Sequence, residues 1–298
     1  MPPALLERLG FAAADRVAVV HVDDIGMCHD ANEGGFEALA NGPATCGSVM
    51  VPCPWFSEAA ARARANPDFD LGVHLTLNSE WDHYRWGPVA GRDAVPSLLD
   101  DEGYLPKTTL ETLQRATPED VEVELRAQIE HALAAGIDVT HLDSHMGTVF
   151  YKPEFLAVYA RLAREFRVPV FVARPSVEQL EILGLAAARP VFLSLADDLE
   201  SDGFPILDGF DLDSLAFEPG DGLAHNRRRL ARFTPGVHYL ICHAARGGDE
   251  LRAISPDAHA RDFERSFYGG DAGQRALDEA GIRTVGMRPL RELLRSEP

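Results

Sequence analysis

Short β-branched runs alternate with longer amphipathic stretches along this chain, and that alternation limits the fold more than any other feature. Runs at 16–22, 45–51, 71–77, 137–142, 168–173, 191–195, 237–242 and 282–286 read as strands. Between them, 31–40, 56–65, 118–135, 153–166, 177–183, 221–233, 273–280 and 289–295 read as helices. In 118–135 the apolar residues Val121, Leu125, Ile129 and Leu133 recur every four positions, and Gly136 stops the helix. Gly281 does the same ahead of the last strand. Repeated strand–helix units imply parallel strands joined by helical crossovers. Seven to eight mostly parallel strands within 298 residues predict an α/β fold, an irregular (β/α) barrel rather than a doubly wound sheet. Neither G-x-G-x-x-G nor a P-loop follows the first strand, which weakens a nucleotide-binding alternative. No linker or short-period repeat divides the chain, so one domain is expected over 1–298. A single segment breaks the pattern: 79–117 is a long Gly- and Pro-rich loop carrying Trp81, His83, Tyr84 and Trp86, the composition of a lid or binding loop.

The 28 basic and 47 acidic side chains leave a net charge of −19. That surplus argues against nucleic acid and anionic membranes as partners and is compatible with a neutral sugar. No apolar run reaches the ~20 residues needed to span a bilayer, and the first residues lack a basic stretch followed by an apolar one. Cys28, Cys46, Cys53 and Cys242 form no C-x-x-C pair, which argues against a thiolate zinc site and fits a reducing cytoplasm. A homodimer is left open.

Polar residues able to do chemistry gather at the strand ends. Asp23 and Asp24 end the first strand, and His74 lies near the end of the third. His141, Asp143 and His145 close the fourth, Arg174 follows the fifth, and His243 ends the seventh. In a parallel barrel such ends converge on the face where active sites are built. Each piece alone is weak, because an aspartate pair often caps a helix and a lone histidine often packs in a core. His21, His131 and His238 are read in that ordinary way, and Asp197 and Asp198 as capping or solvated. Together, two adjacent carboxylates and three histidine-bearing strand ends point to a metal site. Two imidazoles and a carboxylate leave positions open on a divalent ion, where a water reaches a pKa of ~7 on zinc. One aspartate then binds the metal while the other accepts the water's proton, and His243 is placed to protonate a leaving group. Such a constellation suits hydrolysis of an amide or ester.

The runs VDDIGMCHDANEGG, GVHLTL, THLDSH and ICHAA, in this order, resemble the YdjC-like carbohydrate deacetylases, relatives of the polysaccharide deacetylases. The tail, FERSFYGG and then ALDEAGIRTVGMRPL, also resembles that family's ending, so the likeness spans essentially the whole chain. The resemblance implies an irregular (β/α) barrel, one divalent metal ion (zinc or magnesium), and removal of acetyl from an N-acetylated amino sugar or short oligosaccharide. Residue by residue, Asp24, His74 and His145 match the metal ligands, Asp23 the catalytic base and His243 the general acid. Arg174 is a looser match to an arginine near the base. His141 and Asp143 fall between support for the ligands and packing, with support favoured for Asp143. The chitooligosaccharide deacetylases continue THLDSH with further histidines, whereas here Met146, Gly147 and Thr148 follow, a departure that bears on the sugar and not on the metal. Trp81, Tyr84 and Trp86 are candidates to stack on a sugar face or else to pin the loop. Two rivals stand beside this reading. One is a metal-dependent hydrolase of another amide or a phosphoester, for which only Arg174 and Arg246 offer cations; the other is a non-catalytic sugar-binding protein, which would be expected to carry a broken motif.

Overall fold

A computed structural model describes residues 4–182, 184 and 186–296. Strand β1 (Arg16–Ile25) is buried from Val17 onward, as expected of a strand covered on both faces. The other strands are β2 (Cys46–Val49), β3 (Leu71–Leu75), β4 (Val139–Ser144), β5 (Gly209–Asp211), β6 (Gly236–Cys242) and β7 (Ile282–Thr284). All pairings are parallel, in the order β4-β3-β2-β1-β6-β5, with β7 alongside the first residues of β1. Single bridges, Leu142 to Val170 and Ala173 to Leu207, carry the curled sheet round between β4 and β5. The result is an irregular (β/α) barrel with its helices outside.

Alternation along β1 separates two cores. Ala18, Val20 and Val22 pack under the helices, whereas Val17 and Val19 join Cys46, Leu207, Val237 and Tyr239 inside the barrel. Two further steps along the inner face of β1 bring His21 and then Asp23, so the interior changes from apolar to polar towards the strand ends.

Several elements differ from the sequence expectation. The run 191–195 is not a strand but part of the helix Arg189–Ser201. Phe192, Leu195, Ala196 and Leu199, spaced three and four apart, turn to the core, and Pro190 sits in the first turn, where proline is tolerated. A run as short as VFLSL does not distinguish helix from strand. The stretch 168–173 contributes only isolated bridges, and the strand beyond it is the three-residue β5, too short to stand out. The helix Ala258–Tyr268 was not anticipated either. The expected helix 177–183 is observed as Val177–Ile182, with Leu183 outside the described residues. Within 79–117, Thr108 and Glu111 form a capping box that starts the helix Thr109–Arg115. Buried Trp86, Val95, Leu98 and Leu105 tie this segment to the barrel. Among the described residues no helix is long and apolar enough to cross a membrane.

Candidate metal centre and its cavity

The site begins with a bulge. Val22 pairs with Gly47 and Ile25 with Val49, so β1 takes one residue more than β2 over the same span. Asp24 absorbs the irregularity with φ +65°, a left-handed conformation that costs a non-glycine residue about 1–3 kcal/mol. In a regular strand adjacent side chains face opposite ways; here Asp23 and Asp24 both reach one cavity of about 410 Å³ at the strand ends. Asp24 Oδ2 accepts a hydrogen bond from Arg261 at 2.7 Å, while its Oδ1 is buried without one.

That free oxygen belongs to a triangle of donors. Asp24 Oδ1 stands 3.4 Å from His74 Nε2 and 3.3 Å from His145 Nδ1, and the two nitrogens are 3.3 Å apart. Three ligands each ~2.1 Å from an ion at near-tetrahedral angles stand about 3.4 Å from one another. The donor set therefore fits one divalent cation with further positions open to the cavity. The far nitrogen of each imidazole faces a carboxylate: His74 Nδ1 is 2.9 Å from Asp143 Oδ1, and His145 Nε2 is 3.1 Å from Glu80 Oε2. Such partners orient imidazole ligands and raise their basicity. Asp143 Oδ2 in turn accepts from Ser48 at 3.0 Å and from Tyr239 at 3.3 Å.

Burial alone would raise the Asp24 carboxyl, but Arg261, His145 and His74 outweigh it and hold the group well below the usual carboxylate range. Burial also opposes an imidazolium at His74 and His145. Asp143 and Asp23 nevertheless lift His74 well above its ordinary value, and Glu80 with Asp24 lifts His145 to about 9. Negative charge thus surrounds two imidazoles, and a metal ion binding there displaces their protons.

Asp23 sits beside the triangle. Its Oδ1 meets His21 Nδ1 at 2.6 Å, and its Oδ2 lies 3.9 Å from His74 Nε2 and 3.8 Å from His243 Nε2. His21 Nε2 meets His141 Nε2 at 2.7 Å, and His141 Nδ1 meets Thr140 Oγ1 at 2.9 Å. The Thr140 hydroxyl donates to Asp70, so His141 donates to Thr140 and its other nitrogen accepts from His21. Burial and then the neighbouring His21 push His141 well below its ordinary value, which fits that neutral acceptor. On the other flank, His243 Nδ1 lies 2.9 Å from Ser214 Oγ, whose hydroxyl donates to the buried Glu264 at 2.8 Å. The Ser214 proton is thereby committed, so His243 donates through Nδ1 and presents Nε2 to Asp23. Burial lowers the His243 imidazole.

Asp23, Asp24, His74, Asp143, His145 and His243 all line the one cavity, and so does Trp81. Tyr84 and Trp86 do not: the Tyr84 hydroxyl donates to Met27 O at 2.6 Å and Trp86 Nε1 to Asn78 O at 2.8 Å, which pins the loop. His141 lies beneath the cavity, against His21. Arg174 is the clear displacement. Ala173 and Pro175 face the cavity, so alternation in this extended segment sends Arg174 outward to pair with Asp197 and Glu200. The cation beside the site is Arg261. Sequence reasoning missed it, together with Glu80, Ser214, Glu264 and the role of His21. A signal existed for His21, which shares the inner face of β1 with Asp23 two residues on. Arg261 and Glu264 stand three apart, one face of a helix.

A family model described as YdjC-like protein matches residues 17–279. A carbohydrate deacetylase of Thermus thermophilus is 36% identical over 290 residues, covering 97% of this chain and 99% of the relative. One of Brevibacillus brevis is 36% identical over 170 residues, 55% of this chain and 64% of that protein. A crystal structure from Enterococcus faecalis V583, described as a cellobiose-phosphate cleavage protein, superposes with a TM-score of 0.75 at 24% identity, over 93% of this chain and 99% of that one. At that identity the likeness is one of fold. By the match over most of its length, the chain belongs to the YdjC-like protein family.

Proposed function

We propose that this chain is a metal-dependent hydrolase that removes acetyl from an N-acetylated amino sugar or short oligosaccharide. The observation that carries the reading is the donor triangle of Asp24, His74 and His145 with Asp23 and His243 on the same cavity. The name shared by the Thermus and Brevibacillus relatives supports it. A divalent cation held by the triangle supplies Lewis acidity, polarising the amide carbonyl and making water nucleophilic near neutral pH. Two imidazoles favour zinc or another transition ion, with magnesium the alternative.

The chain's own residues do the rest. Asp23 Oδ2 takes a proton from the attacking water while His21 holds Oδ1 and fixes the carboxylate plane. Asp23 Oδ2 passes that proton to His243 Nε2, 3.8 Å away, which delivers it to the departing amine, its ring held through Ser214 and Glu264. Trp81, half-buried on the cavity, offers a ring face to a sugar. Four free, buried cysteines support a reducing cytoplasm as its location.

The test is acetate release from a panel of acetylated saccharides, with and without chelator. Asp23→Asn should lower turnover by about 10²–10⁴-fold and leave metal binding largely intact. Wild-type rates from that variant would remove Asp23 as base; chelator-insensitive release would remove the metal.

A further inference from the structure

The cavity has two unlike ends. Its chemistry-bearing groups come from the ends of β1, β3, β4 and β6. The opposite wall, around β5 and the stretch 171–175, is built from Phe150, Phe171, Phe192, Phe210, Leu212 and Ile241. All six are half-buried, and all six line this space. The aromatic rings form a continuous lining. Phe150 lies 5.7 Å from Phe171 and 6.2 Å from Phe192 between ring centroids, and Phe171 lies 5.7 Å from Phe210. Phe171 also packs on Tyr239 at 4.6 Å, which closes the floor.

This wall is a poor match for a sugar. Each hydroxyl of a saccharide needs a partner when it leaves water, and those six side chains offer none. Tyr239, at the floor, already spends its hydroxyl on Asp143. An apolar wall beside the metal donors suits a hydrocarbon chain instead. The reacting carbonyl must lie by the donor triangle, and its amine must face His243 near the mouth. The acyl tail is then the part of the substrate that runs inward along the phenylalanines, while the polar sugar stays outside by Glu80 and Trp81.

We infer that the preferred substrates are amino sugars carrying an N-acyl chain longer than acetyl, of butanoyl to octanoyl size, with the apolar wall as acyl subsite. The inference rests on the hydrolase reading above. In the reaction water adds to the acyl carbon, the C–N bond breaks, and the products are a medium-chain carboxylate and the protonated amino sugar. One buried methylene favours binding about four-fold. The four methylenes separating hexanoyl from acetyl therefore leave ample margin for a ten-fold preference even when they are only partly covered.

The experiment compares kcat/KM of the metal-loaded protein for N-acetyl-, N-butanoyl- and N-hexanoylglucosamine, and measures binding of acetate and hexanoate by calorimetry. The expected result is a kcat/KM at least ten-fold higher for hexanoyl than for acetyl, and hexanoate bound at least ten-fold tighter than acetate. Leu212→Trp, which fills the cavity, should cut the hexanoyl-to-acetyl ratio ten-fold or more. An acetyl preference, or a flat series, overturns the acyl subsite and leaves the deacetylase reading standing. If no amide is cleaved, the hydrolase reading falls by itself, and calorimetry still decides: hexanoate bound tighter upholds the subsite, equal affinities overturn it.

Discussion

Arg174 and Arg261 both pair with carboxylates, yet water separates their worth. Arg174 is partly exposed beside Asp197 and Glu200, where ion pairs contribute about 0–1 kcal/mol. Arg261 is buried against Asp24, and removing one partner of a buried pair costs about 3–5 kcal/mol. Arg261→Met should therefore lower the unfolding free energy of the metal-free protein by several kcal/mol in urea titration, while Arg174→Ala shifts it by under ~1 kcal/mol. Turnover of Arg174→Ala should stay within about two-fold, since its guanidinium points away from the cavity; a large loss would return it to the site. At this scale the donors were legible because chemistry restricts them to His and Asp at strand ends. Arg261, Glu80 and Glu264 were not, because nothing local marks which of many surface-type residues a distant segment will bury.

Among elements, the bulge in β1 and the close approach of β3 to β4 set the site's geometry. The sequence pair Asp23–Asp24 announced two carboxylates, but only the extra residue in β1 and the φ of Asp24 explain how neighbours in a strand share a cavity. Gly72 in β3 has the opposite constraint. A Cβ there would stand 2.5 Å from the His141 carbonyl and 2.7 Å from its ring. Gly72→Ala should cost about 1–3 kcal/mol by overpacking, and it should slow turnover by shifting the His141–His21 pair beneath Asp23. An alanine variant with wild-type stability in denaturant titration would mean that β3 and β4 yield freely. Strands β1, β3 and β6 were readable from sequence because long buried runs leave little choice. The helix Arg189–Ser201 and the strand β5 were not, since tertiary packing and not local pattern decides short apolar stretches.

For the whole molecule, the donors come from three strand ends, and an ion bound by them would tie those strands together. Binding at ~100 times Kd adds about 2.7 kcal/mol, so chelation should lower Tm by roughly 4 °C for a chain of this size. An unchanged Tm in scanning calorimetry would refute a resident ion. The placement of β1 has a temporal consequence. All three donors have been synthesised by His145, but β1 pairs residue by residue with β6, Arg16 opposite Gly236 and Val22 opposite Cys242, and the Arg261 that neutralises Asp24 follows later still. On the ribosome, the first half of the chain carries every ligand and the paired strands β1 to β4, but neither the β6 that runs along β1 nor the Arg261 that neutralises Asp24. Tight binding of an ion by these donors should consequently be a late event, completed only as β6 and Arg261 arrive. A translation product cut short before Arg261 should therefore be cleared by proteases rather than persist as a half-active chain.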